Sequence, residues 1–297
     1  MSELINEFLQ RANQVLQQVE PLLPKPTEPI DWHAVYAASW QRKGNSSFFR
    51  PITLGADIRL VDLLGVDRQR EQLLRNTQQF MRGFPANHAL LWGARGTGKS
   101  SIVRALLAEY AEQGLRLIEV ERNELADLPL IVESLAGLPQ HFIVFCDDLS
   151  FEAGEGDYRI LKSVLDGSLE RAPDNVLLYA TSNRRHLLPE QHSDNQSWQQ
   201  GDGGELHPSE AVEDKIALSD RFGLWLSFYP FSQEHYLEVV QHWIGEYARP
   251  SKLAWQFTEE VANEAISWAT ARGNRNGRCA AQFAKQWVGL QLLEQAD

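Results

Sequence analysis

The sequence predicts an α/β domain built on a parallel sheet and followed by an all-helical C-terminal lid, and three observations carry that prediction. Apolar runs at 89–92, 115–120, 142–146, 176–180 and 224–229 are separated mostly by segments of helical periodicity, as buried strands with crossover helices require. A glycine-rich turn, GARGTGKSS, stands between the first run and the helix-forming SIVRALLAEY. From residue 232 onward the pattern is helical: Ser232 and Thr258 read as N-caps before amphipathic stretches, and a last helix runs from about Arg278 to Leu293.

The chain opens with Leu4, Ile5, Phe8, Leu9, Ala12, Val15, Leu16 and Val19 at helical spacing, an amphipathic helix whose apolar face needs a partner. Pro21, Pro24, Pro26 and Pro29 make the next stretch a semi-rigid connector. Beyond it, Trp32, Val35, Tyr36 and Trp40 predict a short helix, and residues 48–54 lead extended into the main domain. The Asp67 carboxylate is expected to cap a helix that stops at Gly83. The resulting division is a helical extension and connector over 1–50, the α/β domain over 51–231, and the lid over 232–297. Residues 189–205 read as a long, mobile polar loop, part of an acidic insertion near 189–215.

Composition narrows the function. With 43% hydrophobic and 23% charged residues among 297, the chain has globular proportions, and no apolar run approaches the ~20 residues of a membrane helix. The first residues lack the basic-then-apolar order of a secretory signal, so the expected location is the cytoplasm, away from membranes. The two cysteines, Cys146 and Cys279, fit no zinc-ligand or disulfide pattern and read as small core residues. His186, His192 and His207 match no metal spacing, so no metal beyond Mg²⁺ is expected. A net charge of −12 argues against a broad surface for duplex DNA. Between His186 and Asp220 eight acids face one lysine, Lys215, which concentrates the imbalance in one segment. Six tryptophans in apolar elements, Trp92, Trp225, Trp243, Trp255, Trp268 and Trp287, are assigned to core packing.

The chemistry begins at G-x-x-x-x-G-K-S. Gly93, Gly96 and Gly98 let the backbone curl, so that the loop made with Ala94, Arg95 and Thr97 turns N–H groups toward a phosphate chain at a helix N-terminus that also includes Ser101. Lys99 would offset β/γ-phosphate charge and Ser100 would ligate Mg²⁺, so the expected ligand is ATP with Mg²⁺. In FIVFCDD, Asp147 would hold Mg²⁺ through water, and Asp148 stands where a carboxylate base would orient the attacking water, with Glu152 as a weaker alternative. The fourth strand ends LLYATSN and delivers Asn183 to the same sheet edge, within reach of a γ-phosphate or its water. Arg221, before the fifth strand, suits an arginine finger toward a neighbouring subunit. Arg278, entering the final helix, or Arg275 just before it, could reach the γ-phosphate from the lid.

This order of motifs resembles the AAA+ ATPases and, more closely, the bacterial family called domain of unknown function 815. The resemblance rests on DLLGVDRQREQLLRNTQQF, LLWGARGTGKSS, FCDDLSFE, TSNRRHL, GELHPSEAVEDKIALSDRFGLWLSFYPFSQEHY and GNRNGRCAAQF. It implies a sheet of order 5-1-4-3-2 with a helical lid. It also implies a Walker A loop from Gly93 to Ser101, Asp147 and Asp148 as Walker B, Asn183 as sensor 1, Arg221 as finger and Arg278 as sensor 2. The Asp-Asp pair is similar to that of the replication initiator and helicase-loader branch, which uses ATP more as a switch than as fuel. The expected function is then a self-assembling ATPase switch or remodeller acting on a protein or nucleoprotein client, and the alternative is a nucleotide-gated binding module with little hydrolysis.

Overall fold

A computed structural model describes residues 11, 30–44, 46–53, 58–150, 157–166, 173–185, 187, 199–200, 206–207 and 220–296. The expected N-terminal helix, the proline connector, Glu152, His186 and His192 lie outside the described residues, as does most of the acidic insertion.

Burial on both faces explains why the central strands are almost purely apolar. Strand β3 spans Ala89–Gly93, β4 Leu115–Glu119, β5 His141–Cys146, β6 Val176–Ser182 and β9 Leu224–Phe228. In β5, Phe142, Val144 and Cys146 enter one core cluster while Ile143 and Phe145 enter another, the period-two alternation of a strand covered on both sides. One face is covered by helix α1 (Asp67–Met81), which brings Leu73 and Phe80, and α2 (Lys99–Tyr110), which brings Ile102 and Leu106. The other is covered by α3 (Leu128–Leu135) with Leu128 and Ile131, and by α4 (Asp157–Asp166) with Leu161.

With β1 (Ala37–Lys43) and β2 (Ser46–Pro51) at one edge, the sheet runs β2-β1-β4-β5-β6-β3-β9, in which the last five strands are parallel. Counting the five strands of this sheet that follow the first eighty residues in chain order, this is 5-1-4-3-2 read from its far edge, as the resemblance implied. The other edge is a correction. Where a short helix was expected, a turn over 32–34 leads into β1 (Ala37–Lys43), which forms an antiparallel hairpin with β2 (Ser46–Pro51) and lies parallel to β4. Trp32, Tyr36 and Trp40 recur every fourth residue, a spacing that suits a helix face and equally the even positions of a strand. Trp32 and Trp40 do dock as aromatics, edge-on to Phe49 with ring centres 5.3 and 4.8 Å away. The division at residue 50 therefore cuts through a hairpin that belongs to the sheet.

Two local endings show how the sequence steers the chain. Asp67 is the first residue of α1 and not its N-cap: Val66 holds that position, and the Asp67 carboxylate pairs with Arg70 one turn on. At the other end Gly83 (φ +69°) turns the chain left-handed and lets the Phe84 N–H donate to Gln79 O (2.9 Å), the stop the sequence predicts.

The lid is helical throughout: α5 (Gln233–Ala248), α6 (Glu259–Ala271) and α7 (Gly277–Ala296). Ser232 and Thr258 cap the first two by accepting the N–H groups of His235 and Val261. The lid has a core of its own, with Tyr236, Val240, Ile244, Ala265, Cys279 and Ala284. Cys146 and Cys279 are both buried, and burial pushes the Cys146 thiol up to about 12. Within the insertion, strands β7 (Gln199–Gln200) and β8 (Leu206–His207) pair antiparallel. Among the described residues, no helix is long and apolar enough to cross a membrane.

Candidate functional site

Strand register assembles the site. Leu91 pairs with Thr181 and Trp92 with Ser182, while Cys146 pairs with Ala180, so the ends of β3, β5 and β6 finish side by side. The loop after β3, the two aspartates after β5 and Asn183 after β6 consequently meet at one sheet edge, outside the carboxyl ends of the strands.

The loop is close-fitting from its first residue. Gly93 has φ +130°, and a Cβ there would stand 1.9 Å from the Phe228 carbonyl oxygen, to which the Ala94 N–H donates (2.9 Å). Gly98, at φ +100°, precedes α2, whose first helical bond runs from Ile102 to Gly98 O (2.9 Å). The N–H groups of Lys99, Ser100 and Ser101 come before that bond and form a helix start suited to an anion. Thr97 Oγ donates to Ala94 O (2.8 Å) and braces the curl.

Lys99 is only 7% exposed, and its ammonium donates to Gly93 O (2.8 Å), Ala94 O (2.7 Å) and Asn183 Oδ1 (3.3 Å). Burial lowers its pKa; Asp147 and Asp148 oppose that, and Arg95 and Arg278 add to it. Ser100 Oγ donates to Asp147 Oδ1 (2.6 Å), and Thr181 Oγ1 donates to the same oxygen (2.6 Å). The Asp148 N–H donates back to Thr181 Oγ1 (2.8 Å), which holds Asp148 in the left-handed region at φ 52°. Asp148 in turn accepts from Asn183 Nδ2. The buried hydroxyl of Thr181 thus lies where the two carboxylates diverge, Asp147 toward Ser100 and Asp148 toward Asn183.

These groups line a cavity of about 740 Å³ between the sheet edge and the lid, within the usual size range for small-molecule sites. Its walls include Gly96, Thr97, Gly98, Lys99, Ser100 and Ser101 from the loop and α2, Leu63 and Val66 ahead of α1, and Trp243, Tyr247, Arg278 and Lys285 from the lid. Arg95 and Ser101, expected at the phosphate loop, both line it; Ala94 and Arg275 line a smaller, 220 Å³ pocket behind the loop instead. Arg221 lies in the turn ahead of β9, outside the residues that line either pocket. The Ser100 hydroxyl and Asp147 carboxylate are hard oxygen donors 2.6 Å apart at the loop's mouth, a donor set that suits Mg²⁺. Asp62, His242 and Glu246 also converge, but the Arg59 guanidinium already bridges the two carboxylates, 2.8 Å from Asp62 and 3.3 Å from Glu246.

The family model described as Protein of unknown function (DUF815) matches residues 33–291. The chain belongs to this family. No curated protein matches the sequence. Among solved structures, a Thermotoga maritima RuvB mutant aligns at TM-score 0.52 and 17% identity, over 80% of this chain and 66% of its own. Aeropyrum pernix ORC1, solved in complex with DNA, aligns at TM-score 0.53 and 15% identity, over 80% of this chain and 65% of its own. This DUF815 chain thus spans slightly less than two thirds of either neighbour and shares with both the AAA+ fold.

Sequence reasoning missed several residues of the site. Thr181 stands two residues before Asn183 at the end of β6, so the strand parity that leads to Asn183 brings Thr181 to the same edge. Trp243 packs against the lid's core as expected, and it also stacks on Tyr247 with ring centres 5.5 Å apart, both lining the cavity. Their separation of four on one helix was the available signal. Asn276 stands directly before α7, at an N-cap position that composition marks.

Proposed function

We propose that this chain is an ATP-binding, Mg²⁺-dependent AAA+ ATPase of the cytoplasm that acts as a nucleotide-driven switch or remodeller on a protein or nucleoprotein client. The observation that carries the reading is the convergence of Lys99, Ser100, Asp147, Asp148 and Asn183 on one cavity at the mouth of a glycine-rich loop. In this reading the N–H groups of the loop and of the α2 start bind the phosphates, and Lys99 exchanges loop carbonyls for β/γ-phosphate oxygens. Ser100 and Asp147 would hold Mg²⁺, which when bound neutralises charge on the phosphates. Asp148 accepts the proton of the attacking water while Asn183 orients it, and Arg278 reaches in from the lid. Arg221 serves the neighbour's site in a homo-oligomer, where such a guanidinium is worth about 10³-fold or more in rate.

A second reading, a nucleotide-gated binding module with little hydrolysis, draws on the Asp148–Asn183 hydrogen bond, which engages the base with the sensor. One titration separates the two. ATP turnover per chain should rise faster than linearly with protein concentration, and Arg221→Ala should bind ATP normally yet stay slow at every concentration. Binding without turnover in the wild-type chain would establish the module instead. Lys99→Ala should weaken ATP binding about 100-fold, the effect of losing charged hydrogen bonds, and equal calorimetric affinity for both proteins would remove the ATP assignment.

A further inference from the structure

The start of α7 holds the back of the glycine-rich loop through one side chain. Asn276 is the N-cap of α7: its Oδ1 accepts the Cys279 N–H (2.8 Å) and its main-chain carbonyl accepts the Ala280 N–H (3.0 Å). The other end of the same amide, Nδ2, donates to Arg95 O in the loop (2.9 Å). Two residues on, the Arg278 N–H, a first-turn donor with no partner inside its own helix, donates to Gly96 O (3.2 Å). The approach is close: a Cβ on Gly96 would come within 2.7 Å of Asn276 Nδ2, and one on Gly277 within 3.3 Å of Gly96 O. Gly96 is therefore required twice, for its φ of +75° and for the room Asn276 occupies.

A trans peptide unit carries its C=O and N–H on opposite sides. With Arg95 O and Gly96 O bound by α7, the N–H groups of Gly96 and Thr97 are turned away from it, and both residues line the cavity. The lid packs around a core of its own, so the contact between α7 and the loop joins two separately packed bodies. Beside it, the Phe231 N–H after β9 donates to Arg275 O just ahead of α7 (3.2 Å).

We propose that Asn276 is a positioning residue that couples occupation of the glycine-rich loop to the lid. A ligand that draws on the Gly96 and Thr97 N–H groups tightens the same two peptide units that α7 holds from behind. The pull is felt in the first turn of α7, and a displaced lid loosens the loop. The proposal rests on the ATP reading only for the identity of the ligand.

Asn276→Asp keeps an N-cap acceptor but removes the donor to Arg95 O, and Asn276→Ser does the same without adding charge. Hydrogen–deuterium exchange on the full chain reads both ends of the contact. Without nucleotide, amides of residues 94–98 should exchange about threefold to tenfold faster in either variant, the effect of one neutral hydrogen bond, while α7 beyond its first turn stays as protected as in wild type. With Mg²⁺ and ATP, wild type should slow exchange in the loop and in residues 277–281 together, and the variants in the loop alone. Equal loop exchange without nucleotide, or a wild-type α7 response to ATP in both variants, would overturn the coupling. A wild-type chain that binds no ATP would overturn the ATP reading instead, and the nucleotide-free comparison would still decide the role of Asn276.

Discussion

The sheet edge and the lid face the same cavity with residues held in opposite ways. On the sheet side the polar groups are mutually bonded: Lys99 and Thr181 are buried at 7% and 1% exposure, Asp147 and Asn183 are half-buried, Asp148 is exposed but bonded to Asn183, and Asp147 receives two hydroxyl donors on one oxygen. On the lid side Arg278, Gln282 and Lys285 are exposed on helix α7. The difference follows from where each group sits. Strand ends are fixed by registers that a one-residue slip would ruin, whereas a helix packed on its own core can pivot without breaking it. The chemistry is therefore expected to be set by the sheet edge, and the lid to respond to it.

The strongest way to break this comparison is at Asp148. Asp148→Asn should lower ATP turnover by about 10²- to 10⁴-fold, because an amide cannot take the water's proton, while ATP affinity stays within about twofold of wild type. Turnover that survives would move the base elsewhere, with Glu152 as the next carboxylate to change.

Thr181 sharpens it. Removing the hydroxyl in Thr181→Val should raise the Mg²⁺ concentration needed for activity by roughly 10- to 100-fold, as losing an orienting partner of a metal-holding carboxylate does, and Thr181→Ser should restore it. An unchanged Mg²⁺ requirement in the valine variant would show that Ser100 alone orients Asp147.

The smallest effect is expected from the lid. Arg278→Ala should weaken ATP binding by only about threefold to tenfold, since an exposed guanidinium contributes little until the lid closes on its ligand. A loss in calorimetry as large as that of Lys99→Ala would mean that the lid, too, is preset.

Local chemistry made much of the molecule legible in advance. Strands β3, β4, β5, β6 and β9 announced themselves because a strand covered on both faces is apolar through its middle, as FIVFC in β5 and VLLYA in β6 are. The glycines of the loop, the caps Ser232 and Thr258 and the stop at Gly83 were readable for a similar reason, since each answers a backbone requirement confined to a few residues. The residue types of Lys99, Ser100, Asp147, Asp148 and Asn183 pointed to one chemistry before any contact was known.

What only the tertiary structure decided depends on partners distant in sequence. The aromatic segment around Trp40 became a strand because β4 offered it an edge to pair with, and its four-residue spacing fits either structure. Thr181 became the branch point of the aspartate pair because register placed β6 beside β5. Arg278 lines the main cavity while Arg275, three residues earlier, faces the pocket behind the loop, a difference set by where α7 begins. Asn276 meets Arg95 across 181 positions of chain, a contact fixed by the packing of the lid against the loop.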